Sequence, residues 1–186
     1  MSHGKAGIMS FEFVFSESSL IPGVWTIKPN VSVDRRGDIW TSFRKEEIEK
    51  LLPSGVVFKH DKFSTSRKNV LRGIHGDEKS WKLVTCVYGD ILEVVVDCRK
   101  ESPTYLRHET FRIDGRNRLL VFIPPRMGNS YYVYSDVAVY YYKLAYEGDY
   151  IDADQQFSFA WNDPSIGIEW PTTAPILSDR DMREKQ

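Results

Sequence analysis

The sequence predicts an all-β protein, a sandwich or barrel of jelly-roll type with one or a few short helices. Three observations predict it. From Val56 onward, short apolar runs recur at regular spacing, separated by Gly89-Asp90, Asp114-Gly115 and Pro124-Pro125 turn signals. Aromatics make up 13% of the chain and include 10 Tyr, many of them within 131–150, as strand propensity favours. Only Lys45 to Leu52 has helical spacing, with Ile48, Leu51 and Leu52 on one face ahead of Pro53.

In chain order, residues 1–9 read as a tag-like or disordered terminus, which sets His3 aside, and 10–186 as a single domain. Phe11 to Phe15 alternates as a strand does, and Pro22-Gly23 turns the chain into a second strand, Val24 to Ile27. The charged turn Asp34 to Asp38 leads into Ile39 to Phe43. After the helix come strands at Val56–Ser64 and Asn69–Ile74. Lys82–Tyr88 and Ile91–Asp97, joined by Gly89-Asp90, read as a hairpin. Arg107–Ile113, Leu119–Ile123, Ser130–Tyr134 and Val137–Leu144 complete the series. The tail from Trp161 is irregular and polar, but an unstructured tail rarely carries two Trp, so Trp161 and Trp170 predict that it packs back on the barrel.

Composition excludes several functions. A formal net charge of -1 gives no electrostatic argument for nucleic acid or an anionic membrane. No apolar run approaches the roughly 20 residues of a membrane span. No signal-peptide pattern opens the chain, and two cysteines, Cys86 and Cys98, in or at the end of apolar runs fit buried thiols in the cytoplasm. No glycine-rich phosphate loop and no Gly-x-Ser-x-Gly turn occurs. The histidines lack the convergent short spacing of a metal site, so no metal is expected. Cys98 precedes Arg99, but neighbours on a strand point to opposite faces, which argues against an activated thiolate.

What remains is metal-free proton transfer. Arg72, His75 and Lys82 lie on two successive strand-like pieces. Histidine moves protons near neutral pH, and a lysine suits a developing oxyanion. A neutral imidazole can take a proton from carbon beside a carbonyl when a carboxylate fixes its tautomer and a cation holds the enolate. An acid such as Tyr on the opposite face returns the proton with inversion. Residue types alone do not choose the tail aspartate or the Tyr of 131–150.

One ordered set of residues does. Arg72-Gly73-Ile74-His75, Lys82-Leu83-Val84, Gly89-Asp90-Ile91, Val96-Asp97-Cys98-Arg99, Ser102-Pro103-Thr104, Ile123-Pro124 and Tyr142-Lys143 are followed by Trp161-Asn162-Asp163-Pro164, Trp170-Pro171 and Leu177 to Asp181. The stretch from about Phe13 to Asp181 resembles the dTDP-4-dehydrorhamnose 3,5-epimerase family. The resemblance implies a cupin-type jelly roll, a homodimer that exchanges strands, and neither metal nor organic cofactor. It implies a nucleotide-linked 4-keto-6-deoxy sugar, hexose or heptose, carried on dTDP or GDP, inverted at C3, C5 or both for surface polysaccharide. Carried over, His75 is the base, Asp181 its carboxylate partner with Asp179 as the fallback, Lys82 the enolate holder and Tyr142 the acid. Arg72 and Arg36 hold the diphosphate with guanidinium forks. Ser64, His60 and Asn129 fall at substrate-contacting positions.

The chain departs from the family pattern in the pocket. Asn129 stands where a histidine is expected, His60-Asp61-Lys62 replaces Gln-x-Asn, Thr41 replaces a glutamate, and the loop between His75 and Lys82 is about three residues shorter, a change loops tolerate. Deprotonation is expected to survive, with a changed sugar, nucleotide or number of inverted carbons. Relatives acting on GDP-linked 4-keto heptoses fit that pattern. The altered pocket leaves two other readings open, a 3,4-ketoisomerase on the same scaffold and a non-catalytic sugar-nucleotide-binding module.

Overall fold

The computed structural model describes residues 12–182; the tag-like segment 1–9 with His3 lies outside them. One sheet has six strands: β1 (Phe13–Glu17), β2 (Trp25–Pro29), β5 (Val57–Arg67), β7 (Trp81–Tyr88), β10 (Leu120–Ile123) and β12 (Val137–Tyr146), in the order β1-β2-β10-β7-β12-β5. The second has five: β6 (Leu71–Gly76), β8 (Asp90–Asp97), β9 (His108–Asp114), β11 (Met127–Val133) and β13 (Phe157–Ser158), in the order β13-β6-β11-β8-β9. The pairs are antiparallel. A separate hairpin, β3 (Val31–Asp34) and β4 (Gly37–Trp40), carries the charged turn. The predicted helix is one turn, α1 (Lys45–Ile48), followed by a 3₁₀ turn over Glu49–Leu51. A last helical turn, α2, covers Asp179–Met182.

The two sheets close on each other because their inward residues are apolar at period two. Val84, Cys86, Val121, Ile123 and Ala138 of the first sheet pack with Ile91, Val95, Phe111, Ile113 and Val133 of the second. At one end of the barrel the inward positions turn polar, and there a cavity opens. Such closure over a double sheet is the jelly-roll arrangement.

The predicted hairpin of Lys82–Tyr88 with Ile91–Asp97 does not form. β7 lies between β10 and β12, and β8 between β11 and β9, in different sheets. Both strands are buried on both faces over most of their length, the signature of central strands with two neighbours each. Gly89, at φ +97, carries the chain across, and a Cβ there would meet the Val137 carbonyl oxygen at 2.5 Å. Arg72 and His75 therefore approach Lys82 across the barrel rather than along one sheet.

The tail does pack back. Ile176 exchanges backbone hydrogen bonds with Asn69 and Leu71, β13 pairs with β6, and the Trp170 indole donates to the Trp161 carbonyl at 2.6 Å. Trp170 and Ile166 cover Ile74, Val94 and Val96 on the outer face of the five-stranded sheet.

Candidate active site

A cavity of about 340 Å³ opens between the sheets, and it is lined by Lys62, Ser64, Arg72, His75, Lys82, Asn129, Tyr131, Tyr140 and Tyr142, with Tyr150, Asp152, Ser178, Arg180 and Asp181 from the chain that folds over it. Strand alternation explains the wall from the first sheet: Lys62 and Ser64 share a face of β5, Lys82 and Val84 a face of β7, Tyr140 and Tyr142 a face of β12. On β6 alternation fails. His75 and Arg72 are three residues apart yet both reach the cavity, because the β6–β11 register shifts between Asn129 and Tyr131. Gly73 sits in that irregularity at φ +114, where a Cβ would lie 2.5 Å from the Asn129 carbonyl oxygen.

His75 Nε2 is 2.6 Å from Asp181 Oδ1. The carboxylate, 3% exposed at its side chain, also accepts from the Ser178 hydroxyl at 2.8 Å. Burial alone would raise the Asp181 carboxyl; the hydrogen bonds from His75 and Ser178 outweigh it and hold the group below its usual value. Asp181, not Asp179, makes this contact: Asp179 is exposed at the start of α2.

Lys82 is 9% exposed, with Asp77 Oδ2 at 3.9 Å. Burial pushes its ammonium below the usual lysine value, with Asp77 and Glu93 opposing. Burial likewise raises the Tyr142 phenol, and Lys62 opposes. Arg72 donates from Nε to the Ser66 hydroxyl at 3.0 Å; Ser66 and Ser64 in turn lie within 3.1 and 2.7 Å of the Tyr131 hydroxyl. Arg72 itself lines the cavity.

Two predicted contact residues stand apart. Arg36 lies at the tip of the β3–β4 hairpin, 83% exposed and forked onto Asp34 at 2.6 Å, and does not reach the cavity of its own chain. Among the described residues β3 and β4 pair only with each other. His60 faces the same side of β5 as Lys62 but sits beyond the lining, against Tyr146 and Tyr150, with Nδ1 3.0 Å from the Tyr146 hydroxyl. Lys62 and Tyr140 were not predicted as site residues, although alternation from Ser64 and from Tyr142 points to both. Tyr150 and Asp152 come from irregular chain, and Arg180 from the single turn α2, too short for a periodicity to follow.

The thiols take no part: burial pushes Cys86 up to about 11 and Cys98 to about 12. Among the described residues no three His, Cys, Asp or Glu side chains converge as a metal site would require. No helix among them is long and apolar enough to cross a membrane.

A cavity holding an imidazole on a buried carboxylate, a buried amine and a free phenol can take a proton from carbon beside a ketone, hold the enolate and return a proton. Comparison with known proteins finds sugar epimerases. Residues 18–186 match the family model described as dTDP-4-dehydrorhamnose 3,5-epimerase. The dTDP-4-dehydrorhamnose 3,5-epimerase of Salmonella typhimurium is 36% identical over 165 residues, 87% of this chain and 88% of that protein. The Legionella pneumophila dTDP-6-deoxy-D-glucose-3,5-epimerase, solved with dTDP-4-keto-L-rhamnose, superposes with a TM-score of 0.83 at 32% identity over 91% of this chain and 90% of that one. A 3'-monoepimerase from Streptomyces bikiniensis, solved with dTDP-quinovose, gives a TM-score of 0.78 at 31% identity over 89% and 83%.

Proposed function

The chain belongs to the dTDP-4-dehydrorhamnose 3,5-epimerase family and is an isomerase of the cupin-type jelly-roll fold; from that premise we propose that it epimerises a dTDP-linked 4-keto-6-deoxy sugar beside the C4 ketone, with His75 as the base. The observation that carries this reading is the 2.6 Å contact between His75 and Asp181 inside a cavity that Lys82 and Tyr142 also line.

With Nε2 committed to Asp181, Nδ1 is the nitrogen that takes the proton from carbon. Asp181 holds the ring's orientation and stabilises the imidazolium that forms. Lys82, at the cavity wall in a low-dielectric setting, stabilises the enolate oxygen. Tyr142, on the opposite sheet from His75, delivers a proton to the other face of the same carbon, which inverts it. Proton balance is kept when solvent re-protonates the phenolate and takes the proton from His75. Arg72 serves the diphosphate, where a guanidinium fork matches phosphate oxygens. No organic cofactor enters these steps.

Solvent exchange tests the reading. Incubated in deuterated water with a dTDP-linked 4-keto-6-deoxy sugar, the protein should place deuterium at C3, C5 or both, read by NMR of each sugar carbon, and His75→Asn should abolish the exchange. A protein that exchanges no sugar hydrogen on either dTDP- or GDP-linked 4-keto sugars is not an epimerase of this class. A ketone that moves to C3 would make it a ketoisomerase instead.

A further inference from the structure

Behind the cavity wall lies a carboxyl group that the mechanism above does not use. Glu93 is 0% exposed, on the inward face of β8 between Ile91 and Val95. Its cross-strand neighbours are Tyr131 on β11 and Phe111 on β9. Oε1 is 3.2 Å from the Tyr140 hydroxyl, and Oε2 is buried without a hydrogen-bond partner. The Tyr140 hydroxyl is in turn 3.3 Å from both Nδ2 and Oδ1 of Asn129, which lines the cavity directly across the strand pair from His75. A line of three polar groups thus runs from the core to the sugar side.

One hydroxyl has one proton to give, so this line has a polarity. If Glu93 accepts from Tyr140, the phenol oxygen is left to accept from Asn129 Nδ2, and the amide shows its carbonyl to the cavity. If Glu93 carries a proton and donates to Tyr140, the phenol donates to Asn129 Oδ1, and the amide shows its NH₂ edge. We infer that Glu93, acting through Tyr140, sets which edge of the Asn129 amide faces the substrate, and that it turns the NH₂ edge inward to bind an acceptor oxygen of the sugar beside the carbon that His75 deprotonates.

The surroundings favour the donating form. The charged and titratable groups facing Glu93 are Lys82 and the Cys86 thiol from β7, Tyr140 from β12 and Tyr131 from β11, with Ile91, Val95 and Phe111 beside them. The Lys82 ammonium is already matched by Asp77. An ionised Glu93 would be a second negative charge near that amine with one oxygen unbonded, a costly arrangement in the core. Burial pushes its carboxyl well above the usual range, and Tyr140 and Lys82 offset this only in part. Tyr140 is braced for the role, stacked on Tyr131 at 4.3 Å between ring centres. Glu93 and Tyr140 are positioning residues here; Asn129 alone touches the sugar.

The inference rests on the proposed epimerase reaction, and the test separates the two. Steady-state rates and solvent exchange are measured on a dTDP-linked 4-keto-6-deoxy sugar across pH for the wild type, Tyr140→Phe, Glu93→Leu and Glu93→Gln. If the wild type exchanges nothing, the reaction itself is refuted. If it does exchange, Tyr140→Phe and Glu93→Leu should lose about tenfold in kcat/KM, the equivalent of one hydrogen bond in the transition state. Glu93→Gln, whose amide can still donate to the phenol, should stay within about threefold and lose an alkaline fall-off that the wild type shows. Wild-type kcat/KM in Tyr140→Phe, or a loss in Glu93→Gln as large as in Glu93→Leu, would overturn the inference. Tyr140→Phe keeps the ring stack, so the test stands even if Glu93→Leu fails to fold.

Discussion

At the scale of single residues, the site is governed by how burial and hydrogen bonding divide its carboxyl groups. Asp181 and Glu93 are both shielded from water, yet they are pushed in opposite directions. Asp181 has a histidine and a serine donor, which favour its charged form; Glu93 has one 3.2 Å contact with a phenol, and burial favours its neutral form. Asp181→Asn should therefore cost about 10²–10⁴-fold in kcat, the usual worth of a positioned acid–base pair, with KM changing much less. The same substitution has a thermal signature. The folded carboxyl of Asp181 lies below its unfolded value of about 3.9, so its stabilisation is present above that pH and lost as pH falls through the folded value. The gap in Tm between wild type and Asp181→Asn should close on acidification, and a constant gap would mean that the carboxylate contributes nothing electrostatic. Glu93 has the reverse sign. Its folded value lies above the unfolded value of about 4.3, so its contribution is present below that pH and lost as pH rises through the folded value. Glu93→Gln should gain Tm over the wild type as pH rises, measured by calorimetry in a pH series. Of these residues, His75 and Asp181 were legible because each stands in a short ordered motif. Glu93 was not, because a single carboxylate in an apolar strand run carries no motif, and its partner Tyr140 is 47 positions away.

At the scale of elements, the site depends on one strand being clamped between two others. β6 carries His75 and pairs with β11 on one side and β13 on the other, and the segment after β13 leads to α2 and Asp181. Gly76, at the end of β6, lets these strands close: a Cβ there would lie 2.2 Å from the Met127 carbonyl oxygen and 2.3 Å from Phe157 Cζ. Backbone on one side leaves only the β13 side free to yield. Gly76→Ala should therefore push β13 away and cost about 1–3 kcal/mol of stability, the usual price of overpacking. It should also lower kcat by loosening Asp181 from His75, while the protein remains folded by circular dichroism. Unchanged kcat together with a lowered Tm would show that the tail is held by its other contacts, through Ile176 and Trp170. The strands themselves were readable from period-two patterns and turn residues, with bounds shifted by one to three residues. The error at Gly89-Asp90 came from treating a turn signal as a hairpin signal. Local chemistry fixes that the chain turns; which sheet receives the next strand is set by the edges already filled on β7 and β8, and those are distant in sequence.

At the scale of the whole molecule, a second copy of the chain would give Arg36 a cavity to reach. The β3–β4 hairpin is tied beside its turn, where the Arg118 guanidinium meets Asp38 at 2.6 Å and lies over the Trp40 ring. Its tip projects Arg36, with Val33 and Ile39 74% and 59% exposed along the arm. An apolar arm ending in a guanidinium is suited to lie on another subunit and deliver its charge to an anion there. Were the chain the homodimer that its resemblance implies, each arm would bring Arg36 to the diphosphate held by its partner's Arg72. A two-fold pair is the expected symmetry, since one arm then serves each cavity. Ultracentrifugation should show a dimer, and Val33→Asp with Ile39→Asp should shift it to monomer. Arg36→Ala should raise KM about tenfold or more with kcat nearly kept, the loss of one charge-assisted contact to phosphate. Mixing decides whether the arginine acts in trans. Arg36→Ala protomers lack the arm's charge but keep His75; His75→Asn protomers lack the base but keep the charge. When the two exchange into mixed dimers, each mixed dimer holds one cavity with both groups, so about a quarter of all cavities regain wild-type KM. Were Arg36 to serve its own chain, mixing would restore none, because neither protomer contains both.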